Sequence, residues 1–153
     1  MSEVSKHFGE LFISVSHQWR VQLDTHLRND ERLRPYNLSL AKWRVLLRLH
    51  RNPDGLSQRQ LAEQVGVEGP TMVGLIDRME ADGLIERRAC PNDRRSNIVH
   101  LLPTGLNLTP IIEEYAEKVR NAGLQGISEQ DLQQCFATLV HIRDTLAALD
   151  QQK

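Results

Sequence analysis

Apolar residues recur at helical spacing near the start of the chain. Residues 7–28, HFGELFISVSHQWRVQLDTHLR, place them at 8, 11, 12, 15, 19 and 23, which predicts a helix with a broad apolar face. Asn29, Asp30 and Pro35 break that pattern. Ser39 then predicts the cap of a second helix, LAKWRVLLRLHRN, with Leu40, Trp43, Leu46, Leu47 and Leu49 as its stripe and PDG at 53–55 as its end. Ser57 and Gln60 read as a capping box for a short helix, QRQLAEQV, and Gly66 as a turn. Residues 68–82 predict another helix, with Pro70 in its first turn, and Met72, Val73, Leu75, Ile76 and Met79 supply its apolar faces. Gly83 stops it. The runs LIERRA and IVHLL flank CPNDRRSN at 90–97, so they predict a hairpin whose tip carries Arg94 and Arg95. Pro103 opens a long helix to about residue 124, which Pro110 should kink or restart. Gly123 and Gly126 end it, and Ser128 caps a last helix. There Leu132, Phe136, Leu139, Val140, Ile142 and Leu146 form the stripe, and Cys135 reads as core. The expected fold is mostly α with a small β-hairpin.

Composition narrows the class. A chain of 153 residues, 40% hydrophobic and 25% charged, suits one soluble domain. No apolar run approaches the roughly 20 residues of a membrane helix, and MSEVSKHFGE has no signal-peptide pattern. No membrane partner and a cytoplasmic location are therefore expected. Two cysteines, Cys90 and Cys135, give neither a disulfide framework nor a CxxC metal site. The net charge of −1 is unevenly spread: nine Lys and Arg against six Asp and Glu in residues 1–54, six against seven in 55–102, and four against seven in 103–153. An anionic partner should meet the front and middle of the chain.

Two short helices joined at Gly66 fit helix-turn-helix geometry, in which the second helix puts its N-terminal residues at base edges in the major groove. A basic hairpin directly after that helix is a wing. Its cations can reach phosphate or the minor groove, where the negative potential is deepest when the groove is narrow. A solvated, merely charged turn is the plainer reading of an isolated NDRRS, but its place after a helix-turn-helix favours the probe.

The run LSQRQLAEQVGVEGPTMVGLIDRMEADGLIERRACPNDRRSNIVHLLPTG resembles the winged-helix core of the MarR family of bacterial regulators. GLIERRACPNDRRSNIVHL and GISEQDLQQ are especially similar to SlyA-type members, and the resemblance spans about residues 8–150. It implies a single domain over 1–150: a winged helix-turn-helix at about 36–102, with dimerisation helices at about 7–28 and 103–150. It also implies a homodimer on double-stranded DNA. Carried over by position, Arg95 enters the minor groove, Asp93 braces it, and Arg94 makes at most a phosphate contact. Thr71, with Pro70 and Met72, faces the major groove; Arg78 follows on the same helix; Gln58 helps hold the backbone at the start of the preceding helix. Two positions depart from the family pattern. Gly74 stands where SlyA-like members often carry a basic residue, and Leu102 stands where a capping Thr is common.

The end helices, with their broad stripes, exceed what one core of this size buries, and such faces mark a partner helix. The family often responds to small aromatic or phenolic compounds, for which Trp19, His26, Trp43 and Arg44 are candidate pocket residues; Trp43 also reads as core. Six histidines show no tight metal-ligand spacing, so no metal and no cofactor is expected. The arginines around Cys90 could make it redox-reactive, but it reads more simply as a small wing residue. A winged-helix module for protein–protein contacts, without DNA, is the alternative function. An enzyme ranks behind both, since no phosphate loop, nucleophile elbow or metal spacing is present.

Overall fold

The structure, a computed structural model, describes residues 2–90 and 93–150, with 93–96 and 150 described by their backbone alone. Its helices are α1 (Glu3–Asn29), α2 (Leu40–His50), α3 (Gln58–Val65), α4 (Gly69–Ala81), α5 (Pro103–Gly123) and α6 (Glu129–Asp150). The strands are β1 (Leu56–Ser57), β2 (Ile85–Cys90) and β3 (Asp93–Leu101), and a 3-10 turn spans Arg34–Tyr36. The chain divides into two compact units, Met1–Val119 and Arg120–Lys153, with the boundary inside α5. No described helix is long and apolar enough to cross a membrane.

Local chemistry sets the helix ends. Ser2 accepts the Ser5 N–H and starts α1 four residues before the apolar pattern becomes visible. The Ser39 hydroxyl accepts from Lys42 N at the head of α2. The Ser128 hydroxyl accepts from Asp131 N and donates to the Asp131 carboxylate before α6. Leu102 has no side-chain group with which to cap α5; its carbonyl accepts the first helical bond, from Leu106 N. α5 runs unbroken through Pro110, against the expected restart. Proline removes the N–H that would have reached the Leu106 carbonyl. The buried Thr109 hydroxyl donates to that same oxygen at 2.8 Å, so the carbonyl keeps a partner.

In the first unit, Leu23 and Leu27 of α1 pack with Val45, Leu46 and Leu49 of α2, Leu61 and Val65 of α3, and Leu75, Ile76 and Met79 of α4. Ile85, Val99 and Ile112 close that core from the sheet and α5. Gly105 lets α5 meet the strand end: a Cβ there would run into the Leu84 carbonyl, and Leu84 O accepts the Leu102 N–H next to it. The sheet is antiparallel in the order β1-β3-β2, with Leu56 opposite Val99 and Ile85 opposite Leu101. The hairpin expected from the sequence thus gains a third strand, only two residues long and too short to show alternation.

The hairpin itself is longer than expected. β2 continues to Cys90 and β3 begins at Asp93, so Arg94 and Arg95 belong to a strand rather than to the turn. The register pairs Cys90 with Asp93 but Ala89 with Asn97. One step on β2 therefore faces four on β3, and residues 94–96 form an irregularity of the bulge type, which locally bends and twists a strand. The turn residues Pro91 and Asn92 lie outside the described residues, as do the side chains of Asp93, Arg94 and Arg95, so their expected contacts do too.

Large apolar side chains remain uncovered on both end helices. On α1 they are Val4, Phe8, Leu11, Phe12, Val15 and Trp19, with Phe8 and Phe12 stacked at 6.3 Å. On α6 they are Phe136, Leu139, Leu146 and Leu149; Phe136 is 68% exposed. Cys135, expected in a core, is exposed on α6, because that helix has no layer of its own unit to bury it.

Candidate nucleic-acid interface

α3, the turn and α4 are built as the capping pattern predicts. Gln60 N donates to Ser57 Oγ at 3.2 Å while Ser57 N donates to Gln60 Oε1 at 2.9 Å. Gly66 adopts φ +74°, a left-handed conformation that glycine tolerates without penalty, and its N–H closes on the Ala62 carbonyl at 2.9 Å. The chain then re-enters a helix at Gly69, with Pro70 in the first turn.

The faces of α4 depart from the expected assignment at two adjacent residues. Met72, expected toward DNA, is fully buried with Leu75, Ile76 and Met79. Steps of three and four residues put all four on one side of the helix. Val73, counted among the apolar faces, is instead 43% exposed. Pro70, Thr71, Asp77 and Arg78 are exposed as well. The candidate surface is therefore Pro70, Thr71, Val73 and Arg78, with Gly74 between them, where an added Cβ would meet nothing within 4 Å.

Arg87 of β2 joins the sheet to both helices, and nothing in its local sequence announces this. Its Nε donates to Gln58 Oε1 at 2.7 Å and its Nη1 to Glu80 Oε2 at 2.6 Å, while Nη2 pairs with Asp77. Its backbone N–H donates to the other Glu80 oxygen at 2.8 Å. Partial burial works against the charge, but the hydrogen bonds Arg87 donates to Asp77 and Glu80 outweigh it and raise the pKa above the usual arginine value. Gln58 is thereby fixed through its oxygen, and its amide N–H groups remain as donors for other partners. A salt bridge from Lys42 of α2 to Asp82, 2.8 Å, holds the far end of α4.

The four candidate pocket residues are spread over the first unit. Trp19 sits on the uncovered stripe of α1. His26 stacks on Tyr115 of α5, with ring centroids 5.3 Å apart. Trp43 packs against the core, and its Nε1 is buried with no hydrogen-bond partner among the described residues. Arg44 is half-buried, with Nη2 3.5 Å from the Gln64 carbonyl of α3; burial, then the Arg48 charge, lowers its pKa. No hydrogen bond or ring contact among the described residues joins any two of the four. No cluster of three or more potential metal ligands occurs among the described residues.

Sequence reasoning took Asp30 for a helix breaker only. Its buried carboxylate accepts from Arg32 through Nε, Nη2 and the backbone N, and from the Tyr115 hydroxyl at 2.9 Å. Arg32 holds its pKa well below the carboxylate range, against burial, which acts the other way. A depressed folded-state pKa stabilises the fold fully above the unfolded value, near 3.8, and that stabilisation disappears as pH falls below it. Asp30→Asn is expected to lower the melting temperature at pH 7 and to flatten its fall between pH 5 and about 2.5. Melting curves over that range check this, and parallel curves for both proteins would contradict it.

The MarR family model matches residues 36–96. The crystal structure of transcriptional regulator PA3341 is 41% identical, covers 92% of this chain and 98% of its own, and superposes with a TM-score of 0.79. The S. aureus MepR–DNA complex is 22% identical over 90% of this chain and 97% of its own, with a TM-score of 0.77. CouR from Rhodococcus jostii RHA1, bound to p-coumaroyl-CoA, is 22% identical over 93% and 95%, with a TM-score of 0.74. At their identity the last two show likeness of fold alone.

Proposed function

Because the chain belongs to the MarR family of transcriptional regulators, we propose that it binds an inverted-repeat DNA operator as a homodimer and that a small aromatic or phenolic effector modulates the binding. The observation that carries this reading is the pair α3 and α4: a tight left-handed turn, a buried inner face, and an outer face with Pro70 and Thr71 at the start of the second helix and Arg78 in its last turn. Phosphate contacts position a protein on DNA and base-edge contacts specify the sequence. Gln58, Arg94 and Arg95, with Asp93 as a brace, take the first role; Thr71 and its neighbours take the second. MepR, of similar fold, was solved with DNA.

The dimer rests on the uncovered stripes of α1 and α6, which together expose more large apolar groups than a monomer in water tolerates. The winged helix at about 36–102 then works as the reading head, and α1, α5 and α6 as the dimerisation region. Support for the effector comes from Trp43, whose buried indole N–H has no acceptor among the described residues, one that a ligand could supply. CouR, of similar fold, was solved bound to p-coumaroyl-CoA. Trp19, His26 and Arg44 remain the proposed neighbours of that ligand.

Footprinting on a selected duplex tests this. Two half-sites with centres about one helical turn, roughly 10 bp, apart should be protected, and some member of an aromatic-acid panel should weaken the protection. A single asymmetric half-site, or no protected duplex at all, would favour the protein–protein module instead.

A further inference from the structure

The base-reading half of α4 carries few hydrogen-bonding groups. Before Asp77, the Thr71 hydroxyl is the one polar side-chain group on its exposed face, and Asp77 is committed to Arg87. What the face does carry is Val73, a residue type usually found inside. Val73 stands at the rim of an open groove of about 420 Å³ between α3 and α4, whose other walls include Ala62, Val67 and Gly69. Gly69 and Gly74 leave the space on either side clear, since a Cβ at either would meet nothing within 4 Å. Gln58, Arg59 and Glu63 also line the groove, with Arg59 paired to Glu63 at 3.0 Å, and the exposed Arg78 further along α4 supplies a cation complementary to the phosphates that border a DNA groove.

Among the four bases, only thymine presents a methyl group to the major groove. We propose that Val73, backed by the α3–α4 groove, reads the C5-methyl of a thymine in each operator half-site, so that sequence choice at that position is made by apolar contact. The proposal rests on the DNA-binding reading above and adds the chemistry by which the recognition helix discriminates. It also accounts for Gly74: without a long side chain one residue on, the helix can approach until the valine touches the base edge.

The experiment uses the full chain and a duplex selected from a random library. Affinity is measured on that duplex and on copies in which deoxyuridine replaces thymidine one position at a time, which deletes a methyl and leaves pairing intact. One position per half-site should be sensitive. Its loss should weaken binding about fourfold, the transfer free energy of one buried CH₂, and about fifteenfold when both half-sites are changed. Val73→Ala, at an exposed site that opens no cavity, should keep its helical circular dichroism and reduce the preference for thymidine at that position to less than about twofold. The proposal is overturned if every deoxyuridine copy binds like the parent, or if Val73→Ala keeps the full preference. Failure to select any duplex overturns the operator reading on which it stands, a result separable from indifference to the methyl.

Discussion

Arg87→Ala is expected to weaken operator binding about tenfold, a change of about 1.4 kcal/mol, although Arg87 itself is only 19% exposed and is assigned no DNA contact. One guanidinium ties β2 to Gln58 at the start of α3 and to Asp77 and Glu80 on α4. Without it the hairpin is no longer fixed to the recognition helix and must be ordered when DNA binds, which subtracts from affinity. Breaking a fully buried ion pair costs about 3–5 kcal/mol. Here Asp77 and Glu80 are 59% and 38% exposed, so water compensates much of the loss and about 1–2 kcal/mol of stability is expected to go. Arg87→Lys keeps the charge but not the planar fork that spans three acceptors, and should fall between alanine and wild type. Denaturant midpoints and operator titrations of both variants check this. Operator affinity unchanged in Arg87→Ala would show that the wing needs no such tether.

A larger effect is expected from truncation after residue 125, which removes α6. Soluble folded protein should be lost, because α1 displays Leu11 at 64% exposure along with Phe8, Phe12 and Val15, and the proposed dimer covers them with the other chain end. Each such side chain, fully buried, contributes about 1.5–3 kcal/mol. Losing the burial of four at once, about 6–12 kcal/mol, is comparable to the roughly 5–15 kcal/mol that holds a typical domain folded. Sedimentation of the expressed fragment decides it, and a monomeric, folded 1–125 that binds operator would dismiss the dimer as an obligate state.

The local signals in the sequence were readable where one residue decides one geometry. Ser39, Ser57 with Gln60, and Ser128 each cap the helix they precede, and Gly66 takes the left-handed turn between α3 and α4. What escaped depends on partners distant in sequence or on fine phase. The Arg87–Gln58 bond spans 29 residues, and the Tyr115–Asp30 bond 85. β1 exists only because β3 pairs with it at Val99 and Ile98. Met72 and Val73 were both counted among the apolar faces, with Met72 also set toward DNA, and only the spacing of the buried set, 72, 75, 76 and 79, tells that Met72 faces inward and Val73 outward. Pro110 was expected to kink or restart the helix; it does not restart it, and the Thr109 hydroxyl gives the Leu106 carbonyl a partner. Cys135 looked buried because it falls among the stripe residues of α6, a stripe that this chain alone leaves exposed.

If the wings are DNA probes in a two-fold pair, the salt dependence of operator affinity reports it most directly. Arg95→Ala changes one residue on β3 and truncates no assigned core contact, so folding should be retained. If each wing places Arg95 against the DNA backbone or in the minor groove, the variant forfeits one cation per subunit. Each released phosphate contact changes the slope of log affinity against log salt by roughly one unit, so the plot should flatten by about two, with a marked loss of affinity at low salt. Thr71→Ala, measured alongside, should keep the wild-type slope and lose discrimination between operator and random duplex. An Arg95→Ala protein whose affinity and slope match wild type across the salt range would contradict the assignment of CPNDRRSN as a DNA-reaching wing.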